Sequence, residues 1–269
     1  MTRLAAALLA AGLGAAGPAP AERVASLSPA ATRIVRDLGA EDRVVLATRW
    51  CELPEGHPAR RDADAFEPDL EALAAARPTL VLVPRLANPL LASRLRDLGF
   101  RTEVLAAESP ASPEEDIARI GRALGKEAEA GRQVARRRAM EPATPGKRRI
   151  LLVWDGVVAG PGSYLSWVVD AAGGAPLPGS TRWPEWDGEQ VARYNPELVL
   201  YLDLEGPATP ARDETRLGEW RSQPGLRATD AASMGYIYRC RASSDWLPSS
   251  GLPEAARTLR TLVESTGVR

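Results

Sequence analysis

Residues 68–105, PDLEALAAARPTLVLVPRLANPLLASRLRDLGFRTEVL, decide the fold. The pattern predicts helices over residues 68–76 and 88–98, each followed by a short apolar strand, over residues 79–83 and 102–105. Strands that alternate with helices over short connections are typical of parallel βαβ units, in which helices cover both faces of a sheet. The stretch therefore predicts an α/β protein with a parallel sheet.

The same alternation extends from this stretch toward both ends of the chain. Before it, Ser28 and Pro29 are typical of a helix start, between predicted strands at residues 23–27 and 44–47. After residue 147 a second series begins, with strands predicted at residues 149–154, 198–202 and 236–239, and helices at residues 164–172, 188–194, 217–221 and 253–264. We expect two α/β lobes, an N-terminal one over residues 22–111 and a C-terminal one over residues 147–269.

The segment between the lobes contains no strand signal. Residues 113–140 begin with acidic residues and end with arginines, an order that complements the helix dipole. They predict one linking helix within residues 112–141, which at 1.5 Å per residue would reach about 40 Å. An ordinary surface helix that breaks near Gly125 or Gly131 is the alternative.

Residues 1–21 have the pattern of a secretory signal peptide. Arg3 precedes an apolar run over residues 4–16, and the sequence APA at residues 19–21 offers a cleavage site. A short membrane anchor is the alternative, but the run is shorter than the ~20 residues that span a bilayer. The segment contains no cysteine, so no lipoprotein is expected. We expect a soluble periplasmic protein.

The charged residues and the cysteines narrow the partners and the chemistry. With 34 Lys and Arg against 35 Asp and Glu, the net charge of −1 gives no reason to expect binding to nucleic acid or to an anionic membrane. The two cysteines, Cys51 and Cys240, are a candidate disulfide in an oxidising compartment. The sequence leaves their pairing open.

The sequence offers few catalytic groups. His57 is the only histidine, which excludes a histidine-rich metal site, and it lies in a loop of turn-forming residues. Ser163 follows a predicted strand, but its surroundings do not match the G-x-S-x-G nucleophile motif, and it is interpreted as a helix cap. Gly160 and Gly162 before it form either an anion-binding turn or simply a tight turn. We expect neither an enzyme nor a resident cofactor or metal.

The tryptophans are more informative, because there are seven of them in a chain with only 5% aromatic residues. Trp50, Trp183, Trp186 and Trp246 fall in predicted loops or at the ends of elements. Loops at the carboxyl ends of parallel strands line the ligand crevice of α/β proteins, and tryptophan there offers a flat apolar surface with one N–H donor. A bulky, partly apolar ligand is predicted; tryptophans that close the sheet edges are the alternative.

Two glutamates occupy matched positions in the two lobes. Glu71 and Glu189 each fall in the first turn of a predicted helix. One interpretation is favourable charge at a helix N-terminus, worth ~0.3–1 kcal/mol. The other is a pair of exposed anionic groups that dock onto cationic sites of a membrane partner.

An ordered series of motifs resembles the periplasmic binding proteins for vitamin B12, haem and iron siderophores. The likeness begins with residues 23–32, RVASLSPAAT, and it covers residues 22–269 in order. The further motifs are WCELP at residues 50–54, LEAL at 70–73, PTLVL at 78–82, WP at 183–184, EQV at 189–191, NPELVL at 195–200 and SDW at 244–246.

The resemblance implies a class III fold, in which two Rossmann-like lobes are joined by a single long helix and the ligand lies between them. It also implies a monomer that delivers a small molecule to an ABC permease with a cytoplasmic ATPase. In the family, one glutamate on each lobe docks onto permease arginines, and the matching residues here are Glu71 and Glu189.

Within that family the vitamin B12-binding member is the most similar, because Trp50, Trp183 and the Ser-Asp-Trp motif match its pocket. Where that pocket has further aromatic residues, this chain has Ala65 with Phe66, Pro84 and Val157 with Val158. We therefore expect a cobalamin-like ligand or an iron chelate, bound by Trp50, Phe66, Arg85, Trp183, Trp186, Asp245 and Trp246.

Arginines support the alternative ligand. Four of them adjoin predicted cleft loops, where guanidinium groups would suit the carboxylates of a ferric siderophore or of haem; they are Arg49, Arg85, Arg182 and Arg241. Lower-ranked alternatives are a periplasmic hydrolase that uses Ser163 or His57 and a sensor that binds another protein.

Overall fold

The computed structural model describes residues 22–85, 87, 89–106, 109–140, 146–212 and 217–266. The predicted signal peptide lies outside the described residues. Two five-stranded sheets form the frame of two lobes. The strands are β1 (Val24–Ser26), β2 (Val44–Thr48), β3 (Arg60–Ala63), β4 (Leu80–Val83), β5 (Thr102–Val104), β6 (Arg148–Trp154), β7 (Val157–Val158), β8 (Gly174–Ala175), β9 (Leu198–Asp203) and β10 (Ile237–Arg241).

Helices cover both faces of each sheet. They are α1 (Pro29–Asp37), α2 (Leu70–Ala76), α3 (Pro89–Asp97), α4 (Ser112–Leu124), α5 (Glu127–Arg138), α6 (Tyr164–Ala171), α7 (Gly188–Tyr194), α8 (Leu217–Arg221), α9 (Asp230–Met234) and α10 (Leu252–Ser265). Within the described segments, none of the helices is long and apolar enough to cross a membrane.

In the N-terminal lobe the strand order is β3-β2-β1-β4-β5, and all pairs are parallel. Alternate side chains of β4 enter two different cores: Leu80 and Leu82 pack with α1 and α4, whereas Val81 and Val83 pack with α2 and α3. Neither face of β4 contacts solvent, which explains why its sequence is apolar at every position.

The C-terminal lobe repeats this arrangement with the strand order β10-β9-β6-β7, and β8 pairs with β6. Along β9, Leu198, Leu200 and Leu202 face one core and Val199 and Tyr201 face the other. Strand β7 is antiparallel and follows β6 through Asp155 and Gly156, whose φ angles of 48° and 80° suit a tight hairpin turn. Strands β7 and β3 are not predictable from the sequence pattern, because β7 has only two residues and β3 is the polar segment RRDA.

The predicted continuous linking helix is wrong. Gly125, with φ +65°, ends α4 in a left-handed conformation, and Lys126 N–H donates to the Gly121 carbonyl at 2.7 Å. The chain then reverses, since Arg137 and Arg138 near the end of α5 form ion pairs with Glu114 in the first turn of α4. Helix α4 therefore covers the N-terminal lobe, and α5, about 18 Å long, links the lobes.

The candidate disulfide between Cys51 and Cys240 is absent, and both cysteines are buried and free. Cys51 lies in the N-terminal core, where its sulfur is 3.3 Å from Thr48 Oγ1. Cys240 lies in the C-terminal core on β10. Each thiol is enclosed by its own lobe, so the pairing that the sequence left open is absent from the structure.

Candidate functional site

In both sheets, the loops at the carboxyl ends of the parallel strands carry residues singled out from the sequence. Trp50 follows β2, Phe66 follows β3 and Arg85 follows β4 in the N-terminal lobe. In the C-terminal lobe, Asp155 follows β6 and Leu204 follows β9. Because ligands of parallel α/β sheets bind at the carboxyl ends of the strands, this edge is the candidate site.

Exposed apolar side chains concentrate at this edge. Among the described residues, six large apolar side chains are exposed, and four of them stand in loops or first turns that follow strands: Trp50 (53%), Phe66 (55%), Leu90 (72%) and Leu204 (58%). The guanidinium of Arg49 lies 4.9 Å from the ring centre of Trp50. Leu90 and Leu204 were not predicted, because a loop leucine has no chemical signature besides its position after a strand.

Trp183 is half-buried beside the hairpin of the C-terminal lobe. Its ring meets Tyr164 edge to face, with centres 5.3 Å apart. The segment around it is held in place by backbone hydrogen bonds, from Val158 N–H to the Pro184 carbonyl at 2.9 Å and from Gly160 N–H to the Arg182 carbonyl at 3.0 Å. The ring is therefore positioned before any ligand arrives.

Trp186 belongs to a stack of three aromatic rings. Its indole N–H donates to the Pro224 carbonyl at 3.0 Å, and its ring lies nearly parallel to Tyr201, which in turn stacks on Trp220. A cavity of about 210 Å³ adjoins these rings. We call it the aromatic side pocket; its lining residues are Val153, Asp155, Gly156, Trp186, Tyr201, Leu202, Asp203, Trp220 and Gln223.

Tyr201 and Trp220 were missed as site residues in the sequence analysis. Tyr201 lies in a predicted strand and Trp220 in a predicted helix, and neither position predicts a ligand contact. The only available signal was that Tyr201 lies near the carboxyl end of β9, which folding brings beside α8.

The Ser-Asp-Trp motif lies where the two lobes meet. Asp245 forms an ion pair with Arg33 of α1, and Ser244 donates its hydroxyl to Glu52 Oε2 at 2.6 Å. Burial raises the pKa of Asp245 above its ordinary value, although the Arg33 guanidinium opposes that shift. Asp245 is therefore engaged in holding the lobes together.

Trp246 is only 2% exposed and packs in the C-terminal core. A short 3₁₀ helix over Ser244–Trp246 turns its ring inward, beneath the start of α10. This placement corrects the expectation that the ring lines the surface of the cleft, because a side chain inside a core offers no face to a ligand.

The four arginines singled out from the sequence lie near the same edge. Arg49, Arg85, Arg182 and Arg241 are all exposed, and Arg241 Nε donates to the Gly206 carbonyl at 3.3 Å. Over the described part of the chain, no group of three or more His, Cys, Asp or Glu side chains is arranged to hold a metal ion.

Ser163 and His57 do not form a catalytic pair. The buried Ser163 caps α6, where its hydroxyl accepts a hydrogen bond from Ser166 N–H at 3.0 Å, as the helix-cap interpretation predicted. His57 Nε2 lies 2.9 Å from the Glu41 carbonyl, and its Nδ1 accepts from Ala59 N–H at 3.1 Å. Both ring nitrogens are thus occupied by local backbone groups.

Glu71 and Glu189 have matching geometry in the two lobes. Both are exposed in the first turn of a seven-residue helix. The caps Asp69 and Asp187 each accept two backbone N–H bonds, at 2.9 and 3.2 Å, from the glutamate and the residue after it. The capping hydrogen bonds come from the aspartates, so the glutamate side chains are not needed for them.

Comparison with known proteins supports one family. The family model described as "Periplasmic binding protein" matches residues 24–243. A "Cobalamin-binding protein" of Halobacterium salinarum is 28% identical over 196 residues, covering 66% of this chain and 53% of the relative. The chain therefore spans about half the length of the curated relatives it matches.

Solved structures with the same fold include proteins named for two ligands. The haem-binding protein RhuT from Roseiflexus sp. RS-1 is 20% identical, with a TM-score of 0.72, and 92% of this chain and 100% of RhuT are covered. The vitamin B12-binding protein BtuF of Vibrio cholerae is 18% identical, with a TM-score of 0.67 and coverages of 93% and 99%. At these identities the likeness concerns the fold, and it confirms the class III α/β architecture.

The matched region extends from β1 to just beyond β10, so it includes both sheets and the helices between them. It also includes every carboxyl-edge loop described above except the Ser-Asp-Trp segment, which begins at residue 244. The chain belongs to the periplasmic binding protein family.

Proposed function

We propose that this protein is the periplasmic substrate-binding component of an ABC importer and that it captures a corrinoid between its lobes. The exposed apolar side chains at the carboxyl edges, together with the half-buried Trp183, form a surface suited to a large ligand with apolar faces. The curated relative named for cobalamin binding agrees with this ligand class.

The choice of a corrinoid over haem rests on one observation, which is where the side chains that could bind haem iron lie. Haem is held by a His, Cys, Met or Tyr side chain. This chain has one His, two Cys, three Met and five Tyr. His57 is occupied at both nitrogens, and Cys51 and Cys240 are buried.

The described tyrosines and methionines at the candidate edge are poorly placed to bind iron. Tyr164, which contacts Trp183, is only 6% exposed. Tyr201 is the tyrosine of the aromatic side pocket, but its hydroxyl donates to Gln223 Oε1 at 2.6 Å. Burial raises the pKa of Tyr201, which disfavours the phenolate that would bind iron. The exposed Met234 ends α9, which leads into the amino end of β10, at the opposite edge. Cyanocobalamin needs no protein ligand, because the axial positions of its cobalt are already filled by cyanide and by the base of its nucleotide tail.

The delivery step rests on Glu71 and Glu189. Each is exposed at the start of a helix, one on each lobe, and their capping aspartates fix the backbone around them. Charges at the rim of an interface mainly steer and orient docking. We infer that both glutamates contact basic residues of a permease that works with a cytoplasmic ATPase, and that the protein needs no resident cofactor.

A ferric siderophore or another anionic iron chelate is the second candidate. Arg49, Arg85, Arg182 and Arg241 are exposed near the candidate edge, where guanidinium groups would bind carboxylates. This candidate would be recognised by its charge and the corrinoid by its apolar faces, so the two respond to different substitutions.

Calorimetric titration of the purified protein with cyanocobalamin, haemin and ferric citrate tests the proposal. We expect saturable one-to-one binding of cyanocobalamin that weakens in Trp183→Ala. The matched control is Leu98→Ala, which removes an exposed apolar side chain that precedes β5, at the opposite edge. The protein would instead belong to the iron-chelate class if it does not bind cyanocobalamin but binds ferric citrate, and if Arg85→Ala abolishes the binding of ferric citrate.

A further inference from the structure

The aromatic side pocket lies entirely within the C-terminal lobe, at the carboxyl ends of β6 and β9. Its volume of about 210 Å³ is below the ~300–1,000 Å³ of pockets that enclose a whole drug-sized ligand. A group that enters it would therefore be one ring system or side arm of a larger molecule, whose remainder lies in the cleft.

The walls of the pocket favour a planar group. The rings of Tyr201 and Trp220 have centres 4.4 Å apart and planes 13° apart. Trp186 continues the stack, with its centre 6.5 Å from Tyr201 and its plane inclined by 19°. Because the three rings are nearly parallel, a planar aromatic group can stack parallel to them. Offset stacking of this kind is a favourable arrangement of aromatic rings.

The polar groups of the pocket disfavour an acidic guest. Asp155, Asp203 and Gln223 line the cavity, and among the described lining residues none is basic. Asp203 is already paired with Arg239 through a 3.0 Å contact to Oδ1. The Asp155 carboxylate at the hairpin turn would repel a carboxylate, so a neutral ring suits the pocket better than an acid does.

We propose that the aromatic side pocket takes the planar nitrogen base on the nucleotide tail of a corrinoid, while the corrin ring occupies the cleft. This inference rests on the proposed corrinoid-binding function and adds a subsite to it. Stacking on aromatic side chains does not depend on which base is present, and it is strong enough to change the affinity about 10-fold or more. The subsite would therefore distinguish corrinoids with a base from those without one.

The test compares cyanocobalamin with cobinamide, which has the same corrin ring but lacks the nucleotide tail. Both are titrated calorimetrically into the full chain and into Trp186→Ala, with Leu98→Ala as the matched surface control. We expect Trp186→Ala to lower the affinity for cyanocobalamin about 10-fold, since it removes one stacking face. Its affinity for cobinamide should stay unchanged.

A second variant guards against a general disturbance of the lobe. Asp155→Asn keeps the aromatic wall, and Asn tolerates the positive φ of the turn. It should leave the binding of both cyanocobalamin and cobinamide unchanged, because the base of the nucleotide tail has no N–H group to donate to the carboxylate. Free 5,6-dimethylbenzimidazole should compete with cyanocobalamin and not with cobinamide.

The outcomes separate this inference from the proposed function. Equal losses for both corrinoids in Trp186→Ala, or no loss for either, would overturn the side-pocket inference and leave corrinoid binding intact. Failure of the unmodified protein to bind either corrinoid would overturn both. Thermal melting of each variant confirms that the lobe is folded before its affinities are compared.

Discussion

At the carboxyl edges, two aromatic side chains of the N-terminal lobe are exposed, whereas two of the C-terminal lobe are buried. Trp50 and Phe66 of the N-terminal lobe are 53% and 55% exposed, whereas Trp220 and Trp246 of the C-terminal lobe are 7% and 2% exposed. The first pair follows short turns that extend into solvent, and the second pair lies under helices or neighbouring rings. Position near the end of a strand therefore does not decide the exposure of an aromatic ring: Trp50 and Phe66 stay open to solvent, whereas Trp220 and Trp246 are packed.

The difference has an energetic meaning. Removing a buried ring leaves a cavity and costs folding free energy, whereas removing an exposed ring costs little in the unbound protein. An exposed ring contributes only when a ligand covers it. Stability and affinity measurements on matched Trp→Ala variants should therefore give opposite rankings.

The largest expected effect is on stability in the C-terminal lobe. Trp246→Ala should lower the free energy of unfolding by about 3–5 kcal/mol, because it empties part of a closed core. Trp50→Ala should change it by about 0.5 kcal/mol or less. Urea unfolding followed by circular dichroism measures both, and similar losses for the two variants would contradict the comparison.

The next largest effect is on ligand affinity in the N-terminal lobe. Trp50→Ala should weaken cyanocobalamin binding about 10-fold while the melting temperature stays the same, since its ring becomes buried only in the complex. Calorimetry of Trp50→Ala beside Leu98→Ala measures it. Unchanged affinity in Trp50→Ala would remove this ring from the site.

Substitution of Glu71 or Glu189, in the first turns of α2 and α7, should reduce uptake and have only a small effect on stability. Glu71→Ala and Glu189→Ala should each reduce transport in cells while the affinity for ligand stays unchanged, with a stability cost of ~0.3–1 kcal/mol from the lost charge at the helix N-terminus. Glu115→Ala is the control, because Glu115 is an exposed glutamate in the first turn of α4. Equal uptake in all three variants would leave only the helix-dipole role.

The smallest effect is a pH dependence where the lobes meet. Because the pKa of Asp245 is raised by burial, its contribution to stability is present below its unfolded-state pKa and is lost as pH rises through its folded-state pKa. The difference in unfolding free energy between the unmodified protein and Asp245→Asn should therefore shift in favour of Asn as the pH rises from below to above the ordinary aspartate pKa of about 3.9. Urea unfolding across this range measures it; a shift in favour of Asp would mean that the Arg33 ion pair outweighs burial.

Local patterns predicted the regular elements well. The two matched segments DLEALAAARPTLVLV, from Asp69, and DGEQVARYNPELVLY, from Asp187, both form a capped helix that ends in a left-handed residue and leads into a buried strand. The cap, the helix length and the strand each depend on residues within a few positions of one another. Such features do not need the rest of the chain.

Features that depend on distant contacts were not predictable in this way. The reversal at Gly125 needs α5 to pack back along α4, where Arg137 reaches Glu114. The inward turn of Trp246 depends on α10, and the aromatic side pocket joins residues from 153 to 223 that are separate in sequence. A loop tryptophan looks the same in sequence whether it is later covered or left exposed.

The sequence by itself thus determined the α/β class, the two series of strands and helices, and the edges at which ligand contacts are expected, because these follow from local hydrophobic periodicity and capping. Only the tertiary structure decided which tryptophans are available to a ligand, that Cys51 and Cys240 stay apart, and that Asp245 bonds across the lobes. Those outcomes are set by which surfaces the packed helices cover, and burial is a property of the whole fold.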